Sequence, residues 1–166
     1  MIDNQPKTMY VAVKGLFFEN NKLLLVKKKY RDFWDSPGGR IEYGESIETA
    51  LKRELREELL NVRDVSIHEL VGVRKKEVPL EDGNELFLVY YHVQASLPEK
   101  IELSHEHTES KWFGMNEIKQ LPQPLDHVYA ELYRKLMSQS SGQCPTCAKA
   151  MYPKGAPTST DVHPYC

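Results

Sequence analysis

The sequence predicts an α+β sandwich: strand-type runs that pair through short turns, together with two substantial helices. Three observations carry that reading. β-branched and aromatic residues cluster in short runs divided by turn residues. Ser46–Leu60 contains no glycine or proline and is rich in strong helix formers. Asp126–Met137 spaces Val128, Leu132 and Leu136 at helical intervals. A length of 166 residues suits one compact domain with a core of its own and a small appendage.

Residues 1–8 read as a polar tail. Met9–Phe18 carries Tyr10, Val11, Val13 and Phe17, Asn20-Asn21 marks a turn, and Lys22–Lys29 carries Leu23-Leu24-Leu25-Val26, so a β-hairpin is expected. Pro37-Gly38-Gly39 and Gly44 make 30–45 mainly loop. Ser46 is placed to cap the helix that follows, with Glu48 in its first turn. Val65–Val78 and Glu85–Ala95 read as two long strands joined by an Asp82-Gly83 turn. A short strand is expected at Lys111–Phe113, a small helix at Asn116–Gln120 and the second long helix at Asp126–Met137. Ser138–Gln143 reads as a linker, which sets the expected boundaries: tail 1–8, main domain 9–137, linker 138–143 and a terminal segment 144–166.

Composition excludes some partners. With a net charge of −2, the chain as a whole has no basic field to attract nucleic acid or an anionic membrane. No apolar run approaches the roughly 18 residues of a membrane helix, and Met1–Lys7 has no apolar signal region. A cytoplasmic protein is therefore expected.

The chemistry centres on Arg53-Glu54-Leu55-Arg56-Glu57-Glu58. At 100° per residue, Glu54, Glu57 and Glu58 fall within an arc of roughly 100°. The arc borders the aliphatic ladder Leu51, Leu55, Leu59. Like charges three and four residues apart repel mildly, and a cation relieves that repulsion. Three carboxylates make an all-oxygen site of the kind that hard cations such as Mg²⁺ prefer. The other reading is a solvated face with Glu/Arg pairs, for example Arg53 with Glu57.

The preceding loop favours the first reading. Gly39 is followed after five residues by Glu45, and after seven more by the acidic run. This resembles the Nudix box, Gly-x5-Glu-x7-Arg-Glu-aliphatic-x-Glu-Glu-x-Gly-aliphatic, and matches seven of its nine specified positions. Six are single-residue requirements, so chance agreement is about one in ten million per start point. Trp34-x-x-Pro37 upstream and Gly44-Glu45-Ser46 also look like the family's loop. The resemblance covers about residues 9–137 and implies a Nudix-type α/β/α sandwich with a mixed sheet. Two positions depart: Leu60 replaces the final glycine and Asn61 the final aliphatic. Without that glycine, Asn61 is the candidate for a left-handed turn out of the helix.

The resemblance implies a Mg²⁺-dependent enzyme, with Mn²⁺ as the alternative, that cleaves a diphosphate linkage in a nucleotide-like small molecule. The metal neutralises the polyanion and aligns water for in-line attack. It assigns Glu54, Glu57, Glu58 and the Gly39 carbonyl to the metal. Glu54 or Glu57 also serves as base in some members, and others use a glutamate from a later loop, for which Glu106 is the candidate, its other reading being an exposed loop acid. Arg53 and Glu45 pair to orient loop and helix. His105 and His107 read as surface histidines or substrate contacts. Many members are homodimers. A binding or regulatory module that senses a nucleotide without turnover is the competing reading, and the full set Glu54, Glu57, Glu58 speaks against it.

The last residues carry a separate signal. Cys144-Pro-Thr-Cys147 and His163-Pro-Tyr-Cys166 echo each other across fifteen residues. Four nitrogen and sulfur ligands in two turns resemble paired zinc knuckles, so structural Zn²⁺ bound by Cys144, Cys147, His163 and Cys166 is expected. A tail without structure, or a redox Cys-x-x-Cys pair, is the alternative.

Overall fold

Residues 12–17 are buried without interruption, as in a strand covered on both faces. They lie in β1 (Met9–Glu19) of a computed structural model that describes residues 8–30, 33–76, 80–122 and 124–141. Asn20 and Asn21, at φ 48° and 58°, turn the chain into β2 (Lys22–Lys28). Two successive left-handed residues make the tight turn that matches strand twist, and Asn tolerates that backbone. β3 (Trp34–Asp35) pairs antiparallel with β2. After the glycine loop comes α1 (Ile47–Glu58), then β4 (Arg63–Lys75) and β5 (Glu85–Ser96), paired antiparallel.

β5 runs parallel beside β1, so the sheet is mixed, in the order β3-β2-β1-β5-β4. β6 (His107–Phe113) pairs with β2 off that path. α1 lays Ala50, Leu51, Leu55 and Leu59 into a core with Val13, Phe17, Leu24, Val26 and Val93. Each large side chain buried there contributes roughly 1.5–3 kcal/mol. This packing fixes α1 beside β1 and the loop between them.

By internal contacts the chain divides into Met1–Trp112 and Phe113–Cys166. In the second unit, α2 (Met115–Ile118) packs against α3 (Leu125–Ser141), and Ile118, Tyr129, Leu132 and Leu136 are buried. The Glu117 carboxylate accepts the Gly114 N–H at 3.0 Å and so starts α2. Among the described residues no helix is long and apolar enough to cross a membrane.

Several expected boundaries move. α3 continues through Ser141, so the linker expected from Ser138 is helical over its first four residues. Ser138 Oγ donates to the Lys135 carbonyl at 2.7 Å, a bond within the helix that lets serine stay on it. β6 begins at His107 rather than Lys111, and the small helix is a single turn. Residues 1–7, 77–79 and 142–166 lie outside the described residues, and with them the zinc candidates Cys144, Cys147, His163 and Cys166.

The exit from α1 also differs. Among described non-glycine residues, positive φ falls at Asn20, Asn21 and Asp64, not at Asn61. Asn61 works through its side chain instead. Its Nδ2 donates to the Lys100 carbonyl at 3.0 Å and its Oδ1 accepts the Glu102 N–H at 2.9 Å. Ser104 N–H then donates to the Glu58 carbonyl at 3.0 Å, satisfying a helix-end acceptor that a glycine turn would otherwise serve.

Candidate active site

The glycine loop lies along β1 in place of a strand. Val13 N–H donates to the Gly39 carbonyl and Gly15 N–H to the Pro37 carbonyl, each at 2.8 Å, and Ile41 N–H donates to the Val11 carbonyl at 2.9 Å. Gly38 takes φ +123°, and a Cβ there would stand 2.2 Å from the Val13 carbonyl oxygen. Only glycine fits. A Cβ on Gly39 would stand 2.4 Å from the Glu54 carboxyl carbon. The bare Gly39 backbone is thus the surface on which the Glu54 carboxylate rests.

α1 starts where expected, with Ser46 Oγ accepting the Thr49 N–H at 3.1 Å. Arg53 Nε and Nη2 grip Glu45 Oε1 and Oε2, each at 2.8 Å, a two-pronged pair between helix and loop. Nη2 also donates to the Arg40 carbonyl at 3.1 Å. The bonds from Arg53, with one from the Glu42 N–H, hold the Glu45 carboxyl down at about 2. Arg53 and Glu45, expected to pair, do so here.

Glu54, Glu57 and Glu58 on α1 have unlike surroundings. Arg53 Nη1 donates to Glu54 Oε1 at 2.8 Å and to Glu57 Oε2 at 3.3 Å. The Glu57 side chain is 60% exposed and that of Glu58 6%. Glu58 Oε2 accepts the Gly38 N–H at 2.7 Å, and its Oε1 lies 3.6 Å from Lys28 Nζ. Burial raises the Glu58 pKa, and Lys14, the Gly38 N–H and Lys28 offset part of that. Among the described residues no three acidic, histidine or cysteine side chains converge closely enough to hold a metal ion. The carboxylates therefore divide, Glu54 and Glu57 to Arg53 and Glu58 to the Gly38 N–H, without forming the converged set that the helix arc led us to expect.

The donor chemistry nevertheless fits a hard divalent cation. Glu54, Glu57, Glu58 and the Gly39 carbonyl offer oxygen alone, and Glu54 rests against the bare Gly39 backbone. The Gly39 oxygen already accepts one hydrogen bond and keeps a second lone pair.

Residues far apart in sequence complete the surroundings. Lys14, on β1, is 5% exposed, and its ammonium lies against Asp35 and the loop carbonyls. Burial lowers its pKa, but Asp35 and Glu58 more than compensate, and the net shift is upward. His107 is not the surface residue expected. As the first residue of β6 its side chain turns inward, and its Nε2 lies 3.7 Å from Glu58 Oε1. Burial first, then Lys28 and Lys14, hold its pKa down at about 4, so the ring is neutral at pH 7. His105 and Glu106 are exposed on the turn before it. The Glu106 carbonyl accepts the Lys29 N–H at 2.9 Å, which ties that turn to the end of β2. The one sequence signal for Lys14 is a charge inside an otherwise apolar strand.

The family model of the NUDIX domain matches residues 8–136. The chain belongs to the NUDIX-domain family. It is 29% identical over 114 residues to the "ADP-ribose pyrophosphatase" of Methanocaldococcus jannaschii, covering 67% of this chain and 65% of that one. It is also 29% identical over 136 residues to the "CTP pyrophosphohydrolase" of Escherichia coli, covering 77% and 93%. Among solved structures, that of the E. coli ORF135 protein superimposes with a TM-score of 0.62 at 28% identity, covering 82% of this chain and 94% of that one. The chain spans about 65% of the length of the first curated relatives it matches. The Nudix α+β fold with a mixed sheet is therefore established.

Proposed function

We propose that this Nudix chain is a Mg²⁺-dependent hydrolase of a diphosphate linkage in a nucleoside diphosphate derivative or a nucleoside triphosphate. The family's α/β/α layering belongs to the same reading. The observation that carries it is the seating of the acidic helix on the glycine loop: Glu54 against Gly39, and Glu58 on the Gly38 N–H. Glu54, Glu57, Glu58 and the Gly39 carbonyl would hold the metal, and Mn²⁺ suits the same oxygen set. A cation held there would supply neutralisation of the diphosphate charge and polarisation of the phosphorus.

The chain's own residues do the rest. Arg53, locked to Glu45, holds Glu54 and Glu57 on one guanidinium nitrogen and sets their spacing. Glu54 or Glu57 takes the proton of the attacking water, and Glu106 is the candidate where a later loop supplies the base. Relatives named for ADP-ribose and CTP make both compound types members of the test panel, with oxidised nucleoside triphosphates, sugar nucleotides and dinucleotides. Purified protein with Mg²⁺ should release a nucleoside monophosphate, or phosphate in a coupled assay, from at least one of them. Metal-dependent nucleotide binding with no turnover on the whole panel would overturn the hydrolase reading and leave a nucleotide-sensing module. The same proposal gives Cys144, Cys147, His163 and Cys166 to a structural zinc, supported by ligand type and spacing.

A further inference from the structure

Lys14 is a costly residue to place inside a strand, because a buried ammonium must recover in partners what it loses in water. Its partners are not scattered. Nζ lies 2.9 Å from Asp35 Oδ2 and donates to the Ser36 carbonyl at 3.1 Å and the Gly38 carbonyl at 2.5 Å. An ammonium has three donors, and all three are spent on one short stretch from the end of β3 into the glycine loop.

Gly38 is held from both sides. Lys14 takes its carbonyl, Glu58 takes its N–H at 2.7 Å, and the Val13 carbonyl leaves no room for a side chain on it. The next residue, Gly39, carries the bare surface on which Glu54 rests, and its carbonyl accepts the Val13 N–H at 2.8 Å. Lys14 therefore stands behind the loop, on the strand whose Val13 and Gly15 amides grip Gly39 and Pro37.

We propose that Lys14 is a positioning residue: its buried ammonium locks the turn 35–39 in the place that presents the Gly38 N–H and the bare Gly39 backbone to the acidic helix. It touches neither the proposed metal nor the substrate, and it governs both through the loop. The inference rests on the hydrolase reading for its effect on turnover, and on the loop geometry alone for its effect on the backbone.

The test uses full-length protein with two variants, Lys14→Met and the double variant Lys14→Met with Asp35→Asn. The single variant leaves Asp35 buried without its cation and is expected to lower Tm. The double variant removes both charges and should recover most of that loss. Three readouts follow in each protein: Mn²⁺ binding by the loss of the free-ion EPR signal, amide hydrogen exchange at Gly38, and steady-state kinetics on the best substrate of the panel. In the double variant, Mn²⁺ should bind about tenfold more weakly, the Gly38 amide should exchange about tenfold faster, and kcat should fall about tenfold or more while KM changes little.

If Mn²⁺ affinity, Gly38 exchange and kcat all return to wild-type values together with Tm, Lys14 is a structural residue and the proposal is overturned. If wild-type protein turns over nothing on the panel, the hydrolase reading fails, and Mn²⁺ affinity and Gly38 exchange still decide the role of Lys14. If wild-type protein also binds no Mn²⁺, Gly38 exchange alone decides, and an unchanged rate in the double variant contradicts the proposal.

Discussion

Gly38 and Gly39 are adjacent, and the loss of each should fail differently. A methyl on Gly38 meets backbone, the Val13 carbonyl at 2.2 Å, at a φ that side chains avoid. Gly38→Ala should therefore destabilise the fold by roughly 2 kcal/mol or more, read from urea melts. A methyl on Gly39 meets the far end of the Glu54 side chain, which can swing away. Gly39→Ala should keep Tm within a few degrees and lose Mn²⁺ affinity about tenfold or more. Equal destabilisation in the two variants would contradict the geometry. Glu106 is exposed, one residue from buried His107. If it acts as base, Glu106→Gln lowers kcat with KM nearly unchanged, and unchanged kinetics return it to the surface. At this scale the glutamates and Gly39 were legible because one spacing holds them together. Lys14 and His107 were not, because Asp35, Gly38 and Glu58 reach them only through the sheet.

At the scale of elements, the start of α1 is held by the Glu45–Arg53 pair and the Ser46 cap. The Glu45 carboxyl drops from 4.5 to about 2 in the folded chain, chiefly through its bonds from Arg53. A depressed acid contributes stability that is present above its unfolded pKa and lost as pH falls through the folded one. That contribution should fade between about 4.5 and about 2. In urea melts across that window, Glu45→Gln should have a flatter stability profile than wild type and the same stability at the acid end. Parallel profiles would show that the pair does not report on folding. The hairpin turn at Asn20-Asn21, the Ser46 cap and the long strands could be read from local residue types. The helix exit could not, because Asn61 finds its partners at Lys100 and Glu102, across the chain. The length of α3 was missed because serine weakens a helix without ending one.

At the scale of the whole molecule, two metal chemistries are proposed in one chain: hard oxygen donors at the glycine loop and soft thiolates with imidazole near the last residue. They should separate. Metal analysis of reduced, full-length protein purified without added zinc should find about one zinc per chain. A chelator that removes it should leave Mg²⁺-dependent turnover in place, and zinc near zero would leave the terminal segment without a metal. The strands and the box were legible in residue patterning and motif spacing, and the mixed sheet through the resemblance that the box carries. The division at Trp112 was not, because it follows from contacts within the folded chain and not from any break in composition. The central claim is that the acidic helix is a metal-dependent catalytic element, and Glu57 tests it most directly. Glu57 is exposed, and its bond to Arg53 is long, so its charge contributes little to stability. Glu57→Gln, assayed at saturating Mg²⁺ on the best substrate of the panel, should lose about a hundredfold or more in kcat with Tm unchanged. Turnover near that of wild type, in a variant equally well folded, would contradict the account.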